Sequence, residues 1–321
     1  MDNRDEVKDF LRTRRARLTP QRAGLSAFSA NRRVPGLKRG EVADLAGVSV
    51  EYYAQLERGN LAGVSDVVLE ALARALQLDA AERAHLTDLA RAAGPASARA
   101  RRPTPVRVRP GVQRLLDLMG EAVPAIVNNG RLDVVAANAL GRALFAPVCS
   151  TPARAAGGPA NHARFTFLDD GARDFWTDWD RAADDAVAQL RTEAGRDPDD
   201  RALASLVGEL ATRSPEFRTR WAAHEVRLHR TGTKNLRHPV VGDLHLDFEA
   251  LELPGQPGLL LIAFTTPAGS RDEDALRLLA SWAATHTGDL EAGTAADASR
   301  PRATEGDRPP AVPRTRGRDQ A

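Results

Sequence analysis

Apolar residues recur at helical spacing through the first 93 residues of this 321-residue chain. The spacing predicts five short amphipathic helices, over residues 5–17, 38–46, 50–58, 66–76 and 80–93. Three of these helices follow a residue whose side-chain oxygen is suited to cap a helix N-terminus, namely Ser49, Ser65 and Asp79. The first third of the chain is therefore predicted to be an all-α bundle.

The pattern changes after residue 93. Residues 94–110 lack apolar periodicity and are dominated by Pro and Arg, which is typical of an extended linker. Two apolar runs then follow, at residues 123–128 and 132–136, with Asn129 and Gly130 between them. Because an Asn-Gly pair readily takes positive φ at both turn positions, this segment predicts a tight β-hairpin.

Helical spacing and alternation divide the rest of the chain. Further helices are predicted over residues 112–119, 138–145, 172–195, 198–213, 215–224 and 270–284. Alternating apolar residues predict three strands, over residues 234–241, 244–253 and 259–266. Residues 148–159 are predicted to be a loop, and residues 286–321 read as a disordered tail. We therefore expect a bundle over 1–93, a linker over 94–110, an α+β domain over 111–285 and the tail.

Charge is distributed unevenly between these parts. Residues 1–111 hold 20 Lys and Arg against 13 Asp and Glu, net +7, whereas residues 112–321 hold 25 against 30, net −5. A basic segment is expected of a module that binds phosphates, and the acidic remainder argues against a second nucleic-acid surface.

Several classes of protein are disfavoured by what the sequence lacks. Cys149 is the one cysteine, which excludes an intramolecular disulfide framework and a cysteine-based zinc cluster. No apolar run reads as a signal peptide or a membrane span, so we expect a cytoplasmic protein without a membrane partner. His224 and His229 lie five residues apart, about 140° around a helix, and so cannot share one metal ion. Phosphate-loop, dinucleotide and nucleophile-elbow motifs are missing, so we expect no catalytic site, metal or cofactor.

Residues 39–58 carry the strongest functional pattern. A helix-turn-helix needs a small residue where its helices cross, a glycine at the turn and apolar positions that face the first helix. Ala43, Gly47, Val48, Tyr53 and Leu56 meet these needs in that order. The alternative is a helical bundle in which these residues only ease packing, and only the outward-facing residues separate the two interpretations.

The outward positions are the candidate contacts to double-stranded DNA. The second helix is expected to present Val50 to a thymine methyl, Glu51 to a cytosine amine, and Gln55 and Arg58 to purine edges. Ser49 and Tyr52 lie at the start of this helix. Basic residues near the phosphate backbone complete the predicted interface, namely Lys38, Arg39, Arg32 and Arg33.

The segment RRVPGLKRGEVADLAGVSVEYYAQLERGN resembles the DNA-binding domain of Xre regulators, the Cro and phage-repressor-like family, and in particular its actinobacterial branch. The similarity spans about residues 5–93 and implies a repressor-like five-helix bundle. Arg39 stands where phage repressors often carry a glutamine, so base reading by that position is not implied.

The second half resembles the ligand-binding domain of MmyB-type transcription regulators. The similarity runs through VPAIVNNGRLDVVAANALGRALF, ARFTFLDDGARDFWTDWD, SPEFRTRWAAHEV and GTKNLRHPVVGDLHLDFEALELPGQPG. It implies a PAS-like fold, in which helices pack on a small antiparallel sheet, and a small apolar, fatty-acid-like ligand. The fold class is therefore mainly α, with an α+β second domain.

Candidate ligand contacts come from the aromatic residues and one basic pair of this domain. The aromatic candidates are Phe145, Trp176, Trp179, Trp221, Phe248 and Phe264, most of which we expect to fill the core and a minority to line a cavity. Arg237 and His238 offer a cation and an imidazole for a carboxylate head group. The more common arrangement is an arginine paired with an acidic neighbour and a histidine bonded to a carbonyl.

These features predict a regulator that binds a palindromic DNA operator as a homodimer. A ligand would shift the population of dimer geometries, since the two recognition helices must lie about 34 Å apart. Two other functions stay open at this point: a C-terminal domain that binds a partner protein, and a DNA-tethered enzyme that converts its ligand.

Overall fold

The computed structural model describes residues 3–25, 34–94, 107–120, 122–155, 158–225 and 230–286. Within them, the N-terminal region contains the helices α1 (Asn3–Arg17), α2 (Arg39–Ala46), α3 (Val50–Glu57), α4 (Asp66–Ala75) and α5 (Ala80–Ala92). All five agree within two residues with the helices predicted from spacing. The predicted caps are also confirmed, because Ser49, Ser65 and Asp79 each accept a hydrogen bond from the first turn of the following helix.

One apolar core holds this bundle together. Its buried side chains come from all five helices and include Phe10, Leu11, Val42, Tyr53, Leu56, Leu72 and Leu86. Two glycines bring the helix-turn-helix segment against α1. A Cβ on Gly36 would lie 2.4 Å from the carbonyl oxygen of Ala16, and one on Gly59 would lie 2.5 Å from that of Arg4. Gly36 in the VPGL segment and Gly59 in the LERG segment are therefore required because the α1 backbone passes too close for a side chain.

The C-terminal region is an α+β domain. Its helices are α6 (Pro110–Met119), α7 (Ala139–Leu144), α8 (Ala146–Cys149), α9 (His162–Leu168), α10 (Ala172–Phe175), α11 (Trp179–Arg196), α12 (Arg201–Arg213), α13 (Pro215–Ala222) and α14 (Arg271–Thr285). Its strands are β1 (Ala125–Asn129), β2 (Val134–Ala137), β3 (Thr231–His238), β4 (Gly242–Glu252) and β5 (Leu259–Thr265). They form one antiparallel sheet in the order β2-β1-β5-β4-β3. The predicted fold class, a helical bundle followed by a PAS-like domain, is confirmed.

The two faces of the sheet differ. In β4, Leu244, Leu246 and Phe248 are buried on the face that α7 and α14 help to cover, and the residues between them are exposed. On the opposite face, Leu116 of α6 and Val127 of β1 belong to a second buried cluster. Helices therefore lie on both faces, and the larger core is on the side of α7 and α14.

The predicted two-residue hairpin turn is wrong. Asn129 is the last residue of β1, and its side-chain Oδ1 accepts hydrogen bonds from the backbone amides of Arg131 and Asp133. The residue in the left-handed region is Leu132, at φ 66°, and not the Asn-Gly pair. Because the Asn129 side chain stabilises a four-residue loop, the chain does not need a tight turn here.

The predicted helix over residues 172–195 is interrupted. Trp176 has extended backbone angles and forms an isolated bridge with Leu236 of β3, and Asp178 caps the new helix α11. Helical spacing did not reveal this break, because the residues on both sides keep the same periodicity.

Other differences are smaller. The helix predicted from residue 198 begins at Arg201, because Asp200 and not Asp197 accepts the capping hydrogen bonds. Spacing missed α8 and α9, and the second half of α8 overlaps the start of the predicted loop. Most of the predicted linker, residues 95–106, and residues 287–321 of the predicted tail lie outside the described residues.

The two regions are in contact through α5 and α11. Gly195 of α11 lies against His85 of α5 so closely that a Cβ at position 195 would be 2.5 Å from the His85 Cε1 atom. The α+β domain is therefore joined to the helical bundle by direct helix packing as well as through the chain.

Candidate DNA interface and ligand cavity

The helix-turn-helix is formed by α2 and α3. Gly47 ends α2 in the left-handed conformation, at φ 65° and ψ 35°, which turns the chain toward α3. Ser49 Oγ then accepts a hydrogen bond from the Tyr52 amide at 3.1 Å and starts the second helix. The side chains of Ala43, Tyr53 and Leu56 are fully buried between the helices. The turn therefore depends on glycine and serine, and the crossing depends on the apolar residues.

One face of α3 is directed away from the bundle. Val50, Glu51, Gln55 and Arg58 are exposed, and Tyr52 is half-buried against the core. The structure thus brings five of the predicted DNA contacts onto one surface. This surface carries an apolar group, an acid, an amide and a guanidinium, which is a set able to distinguish base pairs in the major groove.

A buried carboxylate behind this surface joins three helices. Glu57 is 3% exposed, and its Oε1 accepts a hydrogen bond from Arg15 Nε of α1 at 2.6 Å. Its Oε2 accepts a hydrogen bond from Arg39 Nε of α2, which raises the pKa of Arg39 above its ordinary value. Glu57 was not predicted as a functional residue. Its signal in the sequence is an acid at a core-facing position of α3, next to Leu56.

The basic residues around the motif differ in placement. Lys38 is exposed at the N-terminus of α2, and its backbone amide donates to Glu41 Oε2. Arg39 lies at the same helix end but is held by Glu57. Arg32 and Arg33 lie outside the described residues.

A cavity lies between the sheet and α11. It encloses about 530 Å³ of space not occupied by protein atoms, part of which is open to solvent. Its apolar walls come from the sheet, from α11 and from the segments before them, and are formed by Ile126, Leu132, Phe145, Trp176, Ala182, Ala186, Phe248, Ile262 and Phe264. Four of the six predicted aromatic contacts are therefore brought together here, namely Phe145, Trp176, Phe248 and Phe264.

The polar part of the lining was not predicted from the sequence. Lys234 Nζ of β3 lies 2.8 Å from Asp185 Oδ2 of α11, and both side chains are largely buried. His162 and Asn128 also line the cavity. Burial lowers the pKa of His162 to about 4, and the charge of Lys234 acts in the same direction. The ring is therefore neutral at pH 7.

The remaining predicted ligand contacts lie elsewhere. The ring of Trp179 is covered by the Arg173 guanidinium at 3.8 Å, and Trp221 stacks on Phe217. Trp179 is therefore a partner for an arginine, and Trp221 packs with Phe217 in a separate apolar cluster.

The predicted basic anchor is also outside the cavity. Arg237 is exposed and its Nε donates to Asp243 Oδ1 at 2.8 Å, and His238 Nε2 lies 3.0 Å from the carbonyl oxygen of Ala143. The pair thus has the more common arrangement described above, in which the arginine pairs with an acidic neighbour and the histidine contacts a backbone carbonyl. Burial raises the pKa of the Cys149 thiol, although the charges of Arg154 and Arg142 act in the opposite direction.

A buried ion cluster joins the two regions. Arg191 of α11 is 0% exposed, and its Nη1 donates to Oε1 of Glu6 on α1. His85 Nε2 lies 3.8 Å and His224 Nδ1 lies 3.6 Å from the same carboxylate oxygen. Burial by itself would raise the pKa of Glu6. The two nearby histidines, together with the hydrogen bond and the charge of Arg191, outweigh burial and hold the pKa of Glu6 well below the ordinary value.

The cluster is surrounded by further contacts between the regions. Arg14 of α1 donates to the carbonyl oxygen of His224, and Arg17 Nη1 lies 3.0 Å from Glu225 Oε1. The Arg191 guanidinium also lies 4.0 Å from the centre of the Trp221 ring. The interface thus uses charge and hydrogen bonding more than apolar contact.

α11 takes part in both sites. Ala182, Asp185, Ala186 and Gln189 line the cavity at positions i, i+3, i+4 and i+7, and so share one helix face. Arg191 follows Ala182 by nine residues, which places it about 180° around the axis. One face of this helix therefore lines the cavity, and the other contacts the DNA-binding region.

Two further properties hold for the part of the chain that the structure describes. None of its helices is long and apolar enough to cross a membrane. None of its clusters of His, Cys, Asp and Glu has the arrangement of a metal site.

Comparison with known proteins agrees with this division. Residues 9–86 match a family described as a helix-turn-helix domain, and residues 108–279, more than half of the chain, match the MmyB-like transcription regulator ligand binding domain. A search of curated proteins found no match. Both matched families are regulatory, and their combination is that of a transcription regulator. The chain therefore belongs to the family of MmyB-like transcription regulator ligand binding domains, here preceded by a helix-turn-helix DNA-binding domain.

Proposed function

We propose that this protein is a sequence-specific transcription regulator that binds a palindromic DNA operator as a homodimer and senses a small, mainly apolar ligand. The observation that carries the proposal is the placement of α11 between the cavity and the DNA-binding region. A ligand that favours one position of α11 also favours one position of the helix-turn-helix. Such a ligand shifts the population of dimer geometries that fit the operator.

On the DNA side, α3 reads bases and the end of α2 holds the backbone. Gln55 is suited to adenine, Arg58 to guanine or a phosphate, and Glu51 to a cytosine amine, and Val50 can contact a thymine methyl. Lys38 supplies a phosphate contact. Since Arg39 is held by Glu57, it contributes a phosphate contact from a fixed position.

On the ligand side, the lining supports an apolar molecule, because most of its residues are aliphatic or aromatic. Its aromatic walls fit the apolar, fatty-acid-like body that the family resemblance implies. In the described lining, Lys234 is paired with Asp185 and the Thr166 hydroxyl accepts a hydrogen bond from Trp176, so we propose binding and release without chemical conversion.

Operator selection from random duplexes by the full-length protein tests the DNA-binding part. Gln55→Ala and Arg58→Ala should relax base preference at single positions, at a cost of about 1–3 kcal/mol each. Lys38→Ala should weaken binding to all sequences and lower the salt dependence by about one phosphate. Arg277→Ala, in the exposed part of α14, serves as the charge-matched control and should change neither. An unchanged preference in both α3 variants would refute recognition by this helix.

Native mass spectrometry of freshly purified protein tests the sensing part. We expect a co-purifying apolar molecule of unchanged mass, and a change in operator affinity once it is extracted. An empty protein whose operator affinity does not respond to lipid extract would favour a domain that binds a partner protein. Conversion of a lipid during incubation would instead indicate an enzyme.

A further inference from the structure

The charges that line the cavity cancel each other. Its charged side chains within the described residues are Lys234 and Asp185, whose Nζ and Oδ2 atoms are 2.8 Å apart. The side chains are only 16% and 13% exposed, so solvent screens this pair weakly. A ligand therefore meets an ammonium group whose charge is already balanced.

His162 adds no charge to this balance. The ring lies at the start of α9 and makes an edge contact with Phe145 at a centroid distance of 5.2 Å. With a pKa lowered to about 4 by burial and by the charge of Lys234, it is a neutral imidazole under physiological conditions. The polar part of the described lining thus contains one ion pair, one neutral ring, the amides of Asn128 and Gln189, and the hydroxyl of Thr166.

Two polar atoms of the lining have no hydrogen-bond partner in the protein. They are Asn128 Oδ1, in a side chain that is 96% buried, and His162 Nε2. A buried carbonyl oxygen without a partner costs about 1–3 kcal/mol. Asn128 lies on the inner face of β1, two residues after Ile126, and both line the same cavity. A ligand that donates a hydrogen bond here would remove that cost.

Two other polar groups in the lining bond to each other, since Trp176 Nε1 donates to Thr166 Oγ1 at 3.2 Å. Among the described lining residues, the buried polar atoms without a partner are Asn128 Oδ1 and His162 Nε2.

We infer that the cavity selects an uncharged amphiphile, an apolar body with a hydroxyl or primary amide head group, over a free carboxylic acid. The inference rests on the proposed function, because it takes the cavity to be the ligand site. A carboxylate entering the cavity would lose its water, would find a cation already paired with Asp185, and would face an amide oxygen that cannot donate to it. A hydroxyl or amide can donate to the unpartnered oxygen at no cost in charge burial.

Four probes with the same ten-carbon chain test this inference on the full-length protein at pH 7.5. They are decan-1-ol, decanamide, decanoate and decylamine, with binding followed by titration calorimetry and by the fluorescence of Trp176 in the cavity wall. We expect the alcohol and the amide to bind at least about tenfold more tightly than either charged probe. Preference for a charged probe, or no preference at all, would overturn the inference and leave the proposed sensing of an apolar ligand intact. Binding of none of the four would overturn both.

Variants of the ion pair give predictions of opposite sign. Asp185→Asn keeps the shape of the side chain but leaves the Lys234 charge unbalanced, so decanoate affinity should rise about tenfold relative to decan-1-ol. Lys234→Met removes the ammonium group and leaves the Asp185 carboxylate in the lining, so it should lower the affinity for decanoate relative to that for decan-1-ol. Asp243→Asn, in an exposed pair with Arg237 outside the cavity, is the matched control and should change nothing. Melting curves establish that each variant is folded, and unchanged preferences in both folded cavity variants would show that the ion pair does not select the head group.

A variant of the unpartnered amide tests the other half of the argument. Asn128→Leu keeps similar volume and removes the acceptor, so the affinity for decan-1-ol should fall about tenfold while that for decanoate stays within about twofold. An equal fall for both probes would mean that Asn128 only shapes the cavity, and would overturn its role as the head-group acceptor.

Discussion

The buried pair of Glu6 and Arg191 offers the most direct test of how the two regions are held together. Glu6→Gln removes the negative charge with almost no change in shape, and Arg191→Met removes the positive charge and keeps an unbranched side chain over Trp221. The double variant removes both charges at once. Together with the wild type, the three proteins form a double-mutant cycle across the interface.

The structure sets the expected magnitudes. Arg191 is 0% exposed and Glu6 is 7% exposed, so removing one partner leaves the other as a buried, uncompensated charge. Such a loss costs about 3–5 kcal/mol, whereas replacing both partners is often close to neutral. We therefore expect each single variant to lose about 3 kcal/mol and the double variant to lose no more than either, which gives a coupling energy of at least about 3 kcal/mol. A loss of 3 kcal/mol in the docked state is a factor of about 150 in its equilibrium constant.

The positions of the tryptophans make the assay specific. All four, Trp176, Trp179, Trp221 and Trp282, lie in the C-terminal region, so their fluorescence follows its unfolding in urea. Circular dichroism follows the helices of both regions. The two signals should coincide in the wild type and separate in the single variants, because the helical bundle then unfolds independently.

An exposed pair provides the reference for this cycle. Arg237 and Asp243 are 62% and 49% exposed, so solvent screens their attraction and their own cycle should give a much smaller coupling energy. If the coupling energy of Glu6 and Arg191 is no larger, and the two signals still coincide in the single variants, the cluster does not hold the regions together.

Three further predictions concern other groups in the two regions. The pKa of His162 is lowered to about 4, so its ring stays neutral in the native state, whereas in the unfolded state it takes up a proton below about pH 6.5. This group should therefore lower the unfolding free energy by about 2 kcal/mol between pH 7.5 and 5. In urea titrations at both pH values, His162→Asn should remove this decrease, and His245→Asn at the surface should retain it. Gly195→Ala should separate the urea transitions of the two regions, because its Cβ would meet His85. Gly208→Ala has nothing within 4 Å of the added Cβ and should stabilise the protein by about 0.5–1 kcal/mol. Equal effects of the two variants in thermal melts would show that Gly195 and His85 are not in close contact. Glu57→Gln removes the carboxylate that Arg15 and Arg39 share, so it should lower the unfolding free energy by about 2–3 kcal/mol and weaken operator binding in mobility-shift assays. An unchanged melting temperature would argue against a stabilising role of Glu57.

The helix-turn-helix was predictable because its determinants are local. Gly47 and Ser49 act on the residues next to them, and the apolar spacing of α2 and α3 reports directly which side faces the core. For the same reason the outward face of α3 followed from the sequence. The sheet strands were also close to their predicted bounds, because alternation persists through β4 and β5.

The polar chemistry of the cavity was not predictable in the same way. Lys234 and Asp185 are 49 residues apart, and only the packing of β3 against α11 brings them together. A signal did exist: Lys234 has the same parity as the buried Leu236, which places a lysine on the inner face of the strand. Asn128 has the same relation to Ile126 in β1. A charged or amide group on the core-facing side of a strand is a better marker of this site than its aromatic residues.

The aromatic residues were a weaker guide because tryptophan serves several purposes. Trp176 lines the cavity only because the chain leaves its helix there and pairs with Leu236. Trp179, three residues later, instead packs its ring against the guanidinium group of Arg173. Composition and spacing treat the two positions alike, and the difference arises from a backbone break that depends on tertiary contact.

The chemistry of the interface between the regions bears on how a ligand could act at a distance. A buried ion pair is a weak source of stability, but it tolerates few geometries, because a small displacement leaves charges without partners. An apolar interface of the same size would permit many registers of α11 against α5. The cluster around Glu6 therefore favours one register and makes intermediate positions costly, so the docking of the helix-turn-helix responds to α11 as a two-state element. A ligand that fills the cavity against the opposite face of α11 needs only to prefer one of these states to change how the protein engages DNA.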